Sequence, residues 1–170
     1  MKANRILVPL DGSEVAEAAI APAVDMARAG SSLLILMRAA VARTLPGTDA
    51  IDAQVLAVRE AEEYLAGVKE RLEKDGVGRV ESHVWYGLPA PAIVEAAKAQ
   101  KVDVIVMSSH GRSGIGRIIF GSVAESVLRG TRVPIFLVRP SDAPVEPPAG
   151  QEEARPAANA PTTTKTEARR

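Results

Sequence analysis

Apolar residues in this chain form short continuous runs, separated by longer stretches in which they recur at helical spacing. Ile6-Leu-Val-Pro9 is the first run, and it ends on Leu10-Asp-Gly-Ser13, a sharp turn signal. Ala16, Ala19, Ile20, Ala23, Val24 and Ala27 then share one helical face. Asp11 and Glu14 give a D-x-x-E capping pattern at its start, and Gly30 stops it. Pro22 removes a backbone donor within it, which predicts a bend. Leu33-Leu-Ile-Leu-Met37 is apolar throughout, as expected of a strand covered on both faces. Ala39 to Asp49 is irregular, and Pro46-Gly47 marks a loop there. Ile51, Val55, Val58, Leu65, Val68 and Leu72 step by three, four and seven, predicting a long amphipathic helix ended by Gly76 and Gly78. Val80, Val84 and Trp85 mark a third strand, more polar and so nearer a sheet edge. Gly87-Leu-Pro89 turns into a helix carrying Ile93, Val94, Ala96 and Ala97. Val102 to Met107 and Val133 to Val138 read as the fourth and fifth strands.

Strand and helix alternate and end on a strand, the pattern of an α/β fold with a parallel sheet and helices on both faces. Ligands of such open sheets bind outside the carboxyl ends of the strands, where strand order reverses. With the first and fourth strands as central neighbours, the loops Pro9–Ser13 and Ser108–Gly114 meet at that point. After Pro140 the composition changes to Pro, Ala, Thr and Glu, with Val145 the only large aliphatic residue. Such a segment cannot bury enough apolar surface to offset its ordering entropy. The expected organisation is one domain over residues 1–140 and a disordered tail over 141–170.

Composition narrows the function classes. Apolar residues make up 46% of the chain but aromatics only 3%, so the core is built from Val, Ile, Leu and Ala. Twenty-one basic residues balance twenty-one acidic ones, which argues against a general nucleic-acid or anionic-membrane binder. Cysteine is absent, so neither a disulfide framework nor a thiolate metal site is available. No apolar run reaches bilayer-spanning length, and Met1-Lys-Ala-Asn-Arg5 leads into a strand without a signal-peptide core. The expected location is cytoplasmic.

The richest chemistry lies between the fourth strand and the next helix. Gly111, Gly114 and Gly116 let backbone approach an anion, and Ser109 and Ser113 add hydroxyl donors. Gly121 precedes a helix in which Ser122 and Glu125 form an S-x-x-E capping box. The positive end of that helix and the mobile charges of Arg112 and Arg117 complete a phosphate cradle. The competing reading is an ordinary loop whose glycines only make turns. Neither G-x-x-x-x-G-K-[ST] nor G-x-G-x-x-G is present. His110 lies inside the loop, but no acid or nucleophile stands at a recognisable spacing from it, so a loop-shaping role is favoured over catalysis. His83, with Glu81 on the same strand face, reads as a surface residue and not a metal ligand. Glu60, Glu62, Glu63, Glu70 and Glu73 lie among lysines and arginines and read as a solvated helix face.

Ile6–Glu14 (I-L-V-P-L-D-G-S-E), Gly87-Leu-Pro89 and Ser109–Arg129 resemble the universal stress protein family, in order and spacing, over nearly all of residues 4–140. The resemblance implies an open five-stranded sheet of order 3-2-1-4-5 and dimerisation through the last strand. ATP-binding members carry G-x2-G-x9-G-[ST]; here Ser108, Gly111, Gly121 and Ser122 fall at those spacings, with Ser108 where the first glycine usually stands. By the same resemblance Asp11 contacts adenine or ribose, flanked by Pro9 and Leu10, while Ala39 and Ala40 line the adenine pocket. Met107, Ser108, Ser109, His110, Gly111, Arg112, Ser113 and Gly114 then border ribose and phosphates, and Gly121, Ser122 and Val123 hold the terminal phosphates. From the residues alone, Asp11 is equally an N-cap worth about 1 kcal/mol.

Three functions are therefore expected to compete. The first is an ATP-binding, dimeric stress-response sensor, with Mg²⁺ or Mn²⁺ as the accompanying ion. The second is a slow ATP hydrolase or phosphate-transfer enzyme using the same pocket, for which no catalytic base can be named. The third is a nucleotide-free dimerising module, for which Ser108 is the argument. The apolar strand Val133–Val138 invites pairing with its own copy, unless the tail covers it in a monomer.

Overall fold

In the computed structural model, which describes residues 3–42, 49–109 and 121–140, the apolar runs become five parallel strands in the order β3-β2-β1-β4-β5. Along the chain these are β1 (Arg5–Pro9), β2 (Leu33–Ala40), β3 (Val80–Tyr86), β4 (Val104–Ser108) and β5 (Ile135–Val138). Helices α1 (Glu14–Glu17), α2 (Ile20–Gly30), α3 (Ala50–Lys74), α4 (Pro89–Ala99) and α5 (Ser122–Gly130) fill the connections. The tail at 141–170 and the Pro46-Gly47 loop lie outside the described residues.

Strand alternation builds two cores. Ile6, Val8, Leu34, Leu36, Val104 and Val106 face α1, α2 and α3, which contribute Ala16, Ala23, Leu65, Val68 and Leu72. Leu7, Ile35, Met37, Ile105 and Met107 face α4 and α5, which contribute Ile93, Ala96 and Val127. Fully apolar strands make both faces buriable, and each buried aliphatic side chain is worth roughly 1.5–3 kcal/mol. The more polar β3 is an edge strand, as its composition predicts. At the foot of the sheet Asp103 accepts from the Asn4 and Arg5 N–H groups at 2.7 and 3.0 Å, which sets β1 against β4.

The helix predicted over residues 16–27 is broken in two, and the break is sharper than a bend. α1 ends at Glu17 and α2 begins at Ile20, so Pro22 occupies the first turn of α2, where its missing N–H costs nothing. The apolar face survives the break, with Ala16, Ala19, Ala23, Val24 and Ala27 all buried. The stripe of α3 is buried only from Ala61 onward; Ile51 is 73% exposed and Val55 48%. Length explains this. The 25 residues of α3 span about 37 Å, whereas the 8 residues of β2 beneath it span about 26 Å, so the first turns overhang the sheet. Strand limits shift by one to three residues: β2 runs on to Ala40, β4 begins at Val104 and β5 at Ile135.

Candidate nucleotide site

All five strands end on the same side, and the order of strands reverses between β1 and β4. β1 pairs with β2 over five positions, Arg5 to Pro9, but with β4 over only two, Ile6↔Val104 and Leu7↔Ile105. Beyond them the two strands are no longer paired, which is where a crevice opens in a sheet of this class.

The β1 side of the crevice is the turn Leu10–Ser13. Leu10 is buried and its N–H donates to the Met37 carbonyl at 2.8 Å, anchoring the turn to β2. Gly12 has φ of 87°, a backbone conformation that a side chain would strain. Asp11 does not cap α1, contrary to the D-x-x-E pattern. Its Oδ1 accepts from the Ser13 N–H at 2.9 Å and from the Ser13 hydroxyl at 2.6 Å, an Asx turn. Ser13 is the N-cap, accepting from the Ala16 N–H at 3.2 Å. The Asx turn brings the Ser13 hydroxyl into place, so the cap belongs to the neighbour of the residue first assigned to it.

The β4 side begins at Ser108 and Ser109, both buried. The Ser109 N–H donates to the Val138 carbonyl at 2.8 Å, and the Ser109 carbonyl accepts from the Gly121 N–H at 2.7 Å. This pair of bonds pins the end of β4 to β5 and to the start of α5. The N-terminus of α5 therefore stands at the carboxyl end of β4, whatever path the chain takes between. Gly121 is the N-cap of α5 (φ −65°, ψ 150°), and Ser122 is its first helical residue. The S-x-x-E box does not form: among the described residues no side chain caps α5, and Glu125 instead accepts from Arg129 at 2.7 Å, one turn on. The one-residue shift frees the Ser122 hydroxyl from capping, and Ser122 is exposed.

Pro9, Asp11, Ala39, Gly121 and Val123 are half-buried at this end of the sheet, and Ala40 is buried at the end of β2. Met107 packs into the core facing α4 and α5. His110, Gly111, Arg112, Ser113 and Gly114, together with Gly116 and Arg117, lie outside the described residues. Among the described residues no cluster of three or more His, Asp or Glu side chains is placed to hold a metal ion. His83 and Glu81 approach to 3.5 Å on the β3 surface, away from the crevice. Glu70 and Glu73 pair with Lys74 and Lys69 along α3, as a solvated face would.

One polar cluster behind the site has no counterpart in the sequence patterns. The Tyr64 hydroxyl on α3 donates to Glu17 at 2.8 Å, and the Arg71 guanidinium meets the other oxygen of Glu17 at 2.6 Å. Arg38 of β2 lies over the Tyr64 ring, 5.0 Å from its centroid. Burial first, then the hydrogen bond to the Glu17 carboxylate and its negative charge, push the Tyr64 hydroxyl well above its usual pKa. The only hint in the sequence is the scarcity of aromatics, which makes a tyrosine on a helix otherwise rich in Glu, Lys and Arg conspicuous.

Residues 2–139 match the family model described as the universal stress protein family. A universal stress protein of Methanocaldococcus jannaschii is 32% identical over 140 residues, covering 80% of this chain and 82% of its own. Among solved structures, a hypothetical protein studied for structure-based assignment of its biochemical function superposes with a TM-score of 0.75 at 28% identity. That match covers 84% of this chain and 99% of the other. A universal stress protein in complex with cAMP superposes with a TM-score of 0.55 at 25% identity, covering 82% and 98%.

Proposed function

Because the chain belongs to the universal stress protein family, we propose that the crevice between β1 and β4 binds an adenine nucleotide, ATP in the first place, and that the protein works as a nucleotide sensor. The observation that carries this reading is the hydrogen bond from the Gly121 N–H to the Ser109 carbonyl. It supports an anion site because it holds the first N–H groups of α5 at the mouth of the crevice, where helix geometry leaves them without intrahelical partners. The cAMP complex of a relative supports an adenine ligand.

In this reading the Asp11 turn, with Pro9 and Leu10, meets ribose or base, and Ala39 and Ala40 border the adenine. Ser108, Ser109 and the segment from His110 to Gly114 follow the ribose and phosphates. Ser122 and Val123 receive the terminal phosphates through backbone N–H groups and the Ser122 hydroxyl. Small, uncharged side chains beside orphan N–H donors suit a phosphate chain, and Mg²⁺ or Mn²⁺ would neutralise the charge those donors leave. Ser108 is compatible with the ligand in this scheme because its side chain is buried rather than projecting into solvent.

The functional unit is a homodimer joined through β5, the outer strand of the sheet. Phe136 on β5 and Leu128 on α5 are both exposed, 43% and 53%, and a second copy would bury them. Among the described residues no helix is long and apolar enough to cross a membrane, and a cytoplasmic site of action is part of the proposal.

Calorimetric titration of the purified protein with ATP and Mg²⁺ tests the reading, alongside chromatography of any nucleotide released on denaturation. Saturable binding at or below millimolar concentration is expected. Absence of heat together with absence of released nucleotide would refute it, and restoration of binding by Ser108→Gly would assign the failure to that side chain.

A further inference from the structure

The polar cluster on α3 touches the end of α1 and the end of β2. α1 has only four residues, too few to be stable alone, and the chain breaks immediately after it. Ala16 packs it into the core, and two polar contacts hold its ends. Ser13 caps its start, within the Asx turn made by Asp11, and Glu17 at its end is held by Tyr64 and Arg71 of α3. The same Tyr64 ring lies under Arg38, which directly precedes Ala39 and Ala40 on β2. Arg38 also reaches the Glu60 carbonyl, one turn earlier on α3, at 3.5 Å.

We propose that Tyr64 is a positioning residue for the nucleotide: by holding Glu17 with its hydroxyl and Arg38 on its ring, it sets the distance between the Asp11 turn and the end of β2. This inference rests on the nucleotide reading of the crevice. Tyr64 does not touch the crevice itself; it works through α1 on one side and β2 on the other. Glu17 is the sensitive partner, since a charge-assisted hydrogen bond is both stronger and more directional than a neutral one. With the hydroxyl removed, Glu17 keeps only the solvent-exposed Arg71 of its two partners on α3, and the end of α1 gains freedom.

The test compares ATP affinity by calorimetry in the parent, Tyr64→Phe, Glu17→Gln and the control Glu73→Gln, which removes a solvated pair on the same helix. Amide exchange of α1 and α3 is recorded on each. Tyr64→Phe is expected to weaken ATP by about two- to tenfold, the upper end being the whole worth of one charge-assisted hydrogen bond. It should also speed exchange at Ala16 to Ala19 while exchange in α3 stays near the parent rate, and the melting temperature should fall only by the few degrees that one lost hydrogen bond costs. Glu17→Gln should do the same, and Glu73→Gln should do neither. In an Asp11→Ala background the Tyr64→Phe effect should largely vanish, because both act through one turn. Equal ATP affinity in parent and Tyr64→Phe would overturn the positioning role and leave the nucleotide site standing. Exchange that speeds in α3 as much as in α1, or full persistence of the effect in the Asp11→Ala background, would also overturn it. A parent that binds no ATP would overturn both readings.

Discussion

Ser122→Pro separates the stability of α5 from its capacity to bind an anion. Proline is well suited to the first helical position, because the N–H it lacks has no intrahelical partner there. The residue before a proline must be extended, and Gly121 already is, at φ −65° and ψ 150°. Ser122 is exposed, so the ring meets no packed neighbour among the described residues. A substitution to proline without strain stabilises by about 0.4–1 kcal/mol through the unfolded chain. Urea denaturation should therefore show stability equal to the parent or slightly higher. The same change deletes one N–H donor and one hydroxyl from the proposed phosphate site. A hydrogen bond to a charged group is worth about 1.5–3 kcal/mol, or roughly ten- to a hundredfold in affinity. Titration with ATP and Mg²⁺ should show a loss of that size, while Ser122→Ala, which removes only the hydroxyl, shows the smaller part of it. A loss of several kcal/mol in stability would refute the placement of Ser122 at the first helical position. Undiminished ATP affinity in a protein that binds ATP would refute the helix end as its anion site.

Two glycines should respond to alanine with opposite signs. Gly67 is exposed in the middle of α3 with open space around it, so Gly67→Ala should stabilise by about 0.5–1 kcal/mol, measured by urea denaturation. Gly76, at φ +79° beyond the end of α3, has as much room, yet Gly76→Ala should cost about 1–2 kcal/mol from its backbone alone. Leu65→Ala, at a side chain 1% exposed, should lose about 2–5 kcal/mol in the same assay. Tyr64 titrates higher in the folded protein than when unfolded, so its contribution is complete below its ordinary pKa of about 10 and is lost as pH rises beyond it. The fall in stability between pH 9 and 11, tracked by urea denaturation on a scale of about one pH unit per step, should be shallower in Tyr64→Phe.

The fold was legible because its signals are redundant. Continuous runs such as Leu33–Met37 can only be satisfied between two helical layers, and the alternation of elements then dictates parallel strands. The misplacements came from local competition. Asp11 and Ser122 each sit one or two residues from the true cap, and a capping pattern does not encode which nearby residue takes the extended cap conformation. At α1 the Asx turn gave the cap to Ser13, and at α5 the extended Gly121 took it. The break at Ala18–Ala19 could not be distinguished from a bend, since both keep the alanine face buried. The exposed start of α3 follows from a mismatch in length between helix and sheet, which periodicity does not encode. Tyr64, Glu17, Arg71 and Arg38 are brought together only by tertiary packing across α1, α3 and β2, so no spacing along the chain announces them.

The strand order carries a consequence for synthesis. β1 is the first strand made and lies in the middle of the sheet, between β2 and β4. Its partner on one side arrives within about thirty residues, but the other comes only when Val104 and Ile105 emerge. Until then a nascent chain holding β1, β2 and β3 leaves the β4-facing edge of β1, at Ile6, Leu7 and Val8, unpaired. The two bonds from Asp103 to the Asn4 and Arg5 amides join residues nearly a hundred positions apart, and they close that edge at its foot as β4 docks. Completion of this sheet thus waits on the second half of the chain, and a pause in translation before β4 lengthens the time for which that edge stays open.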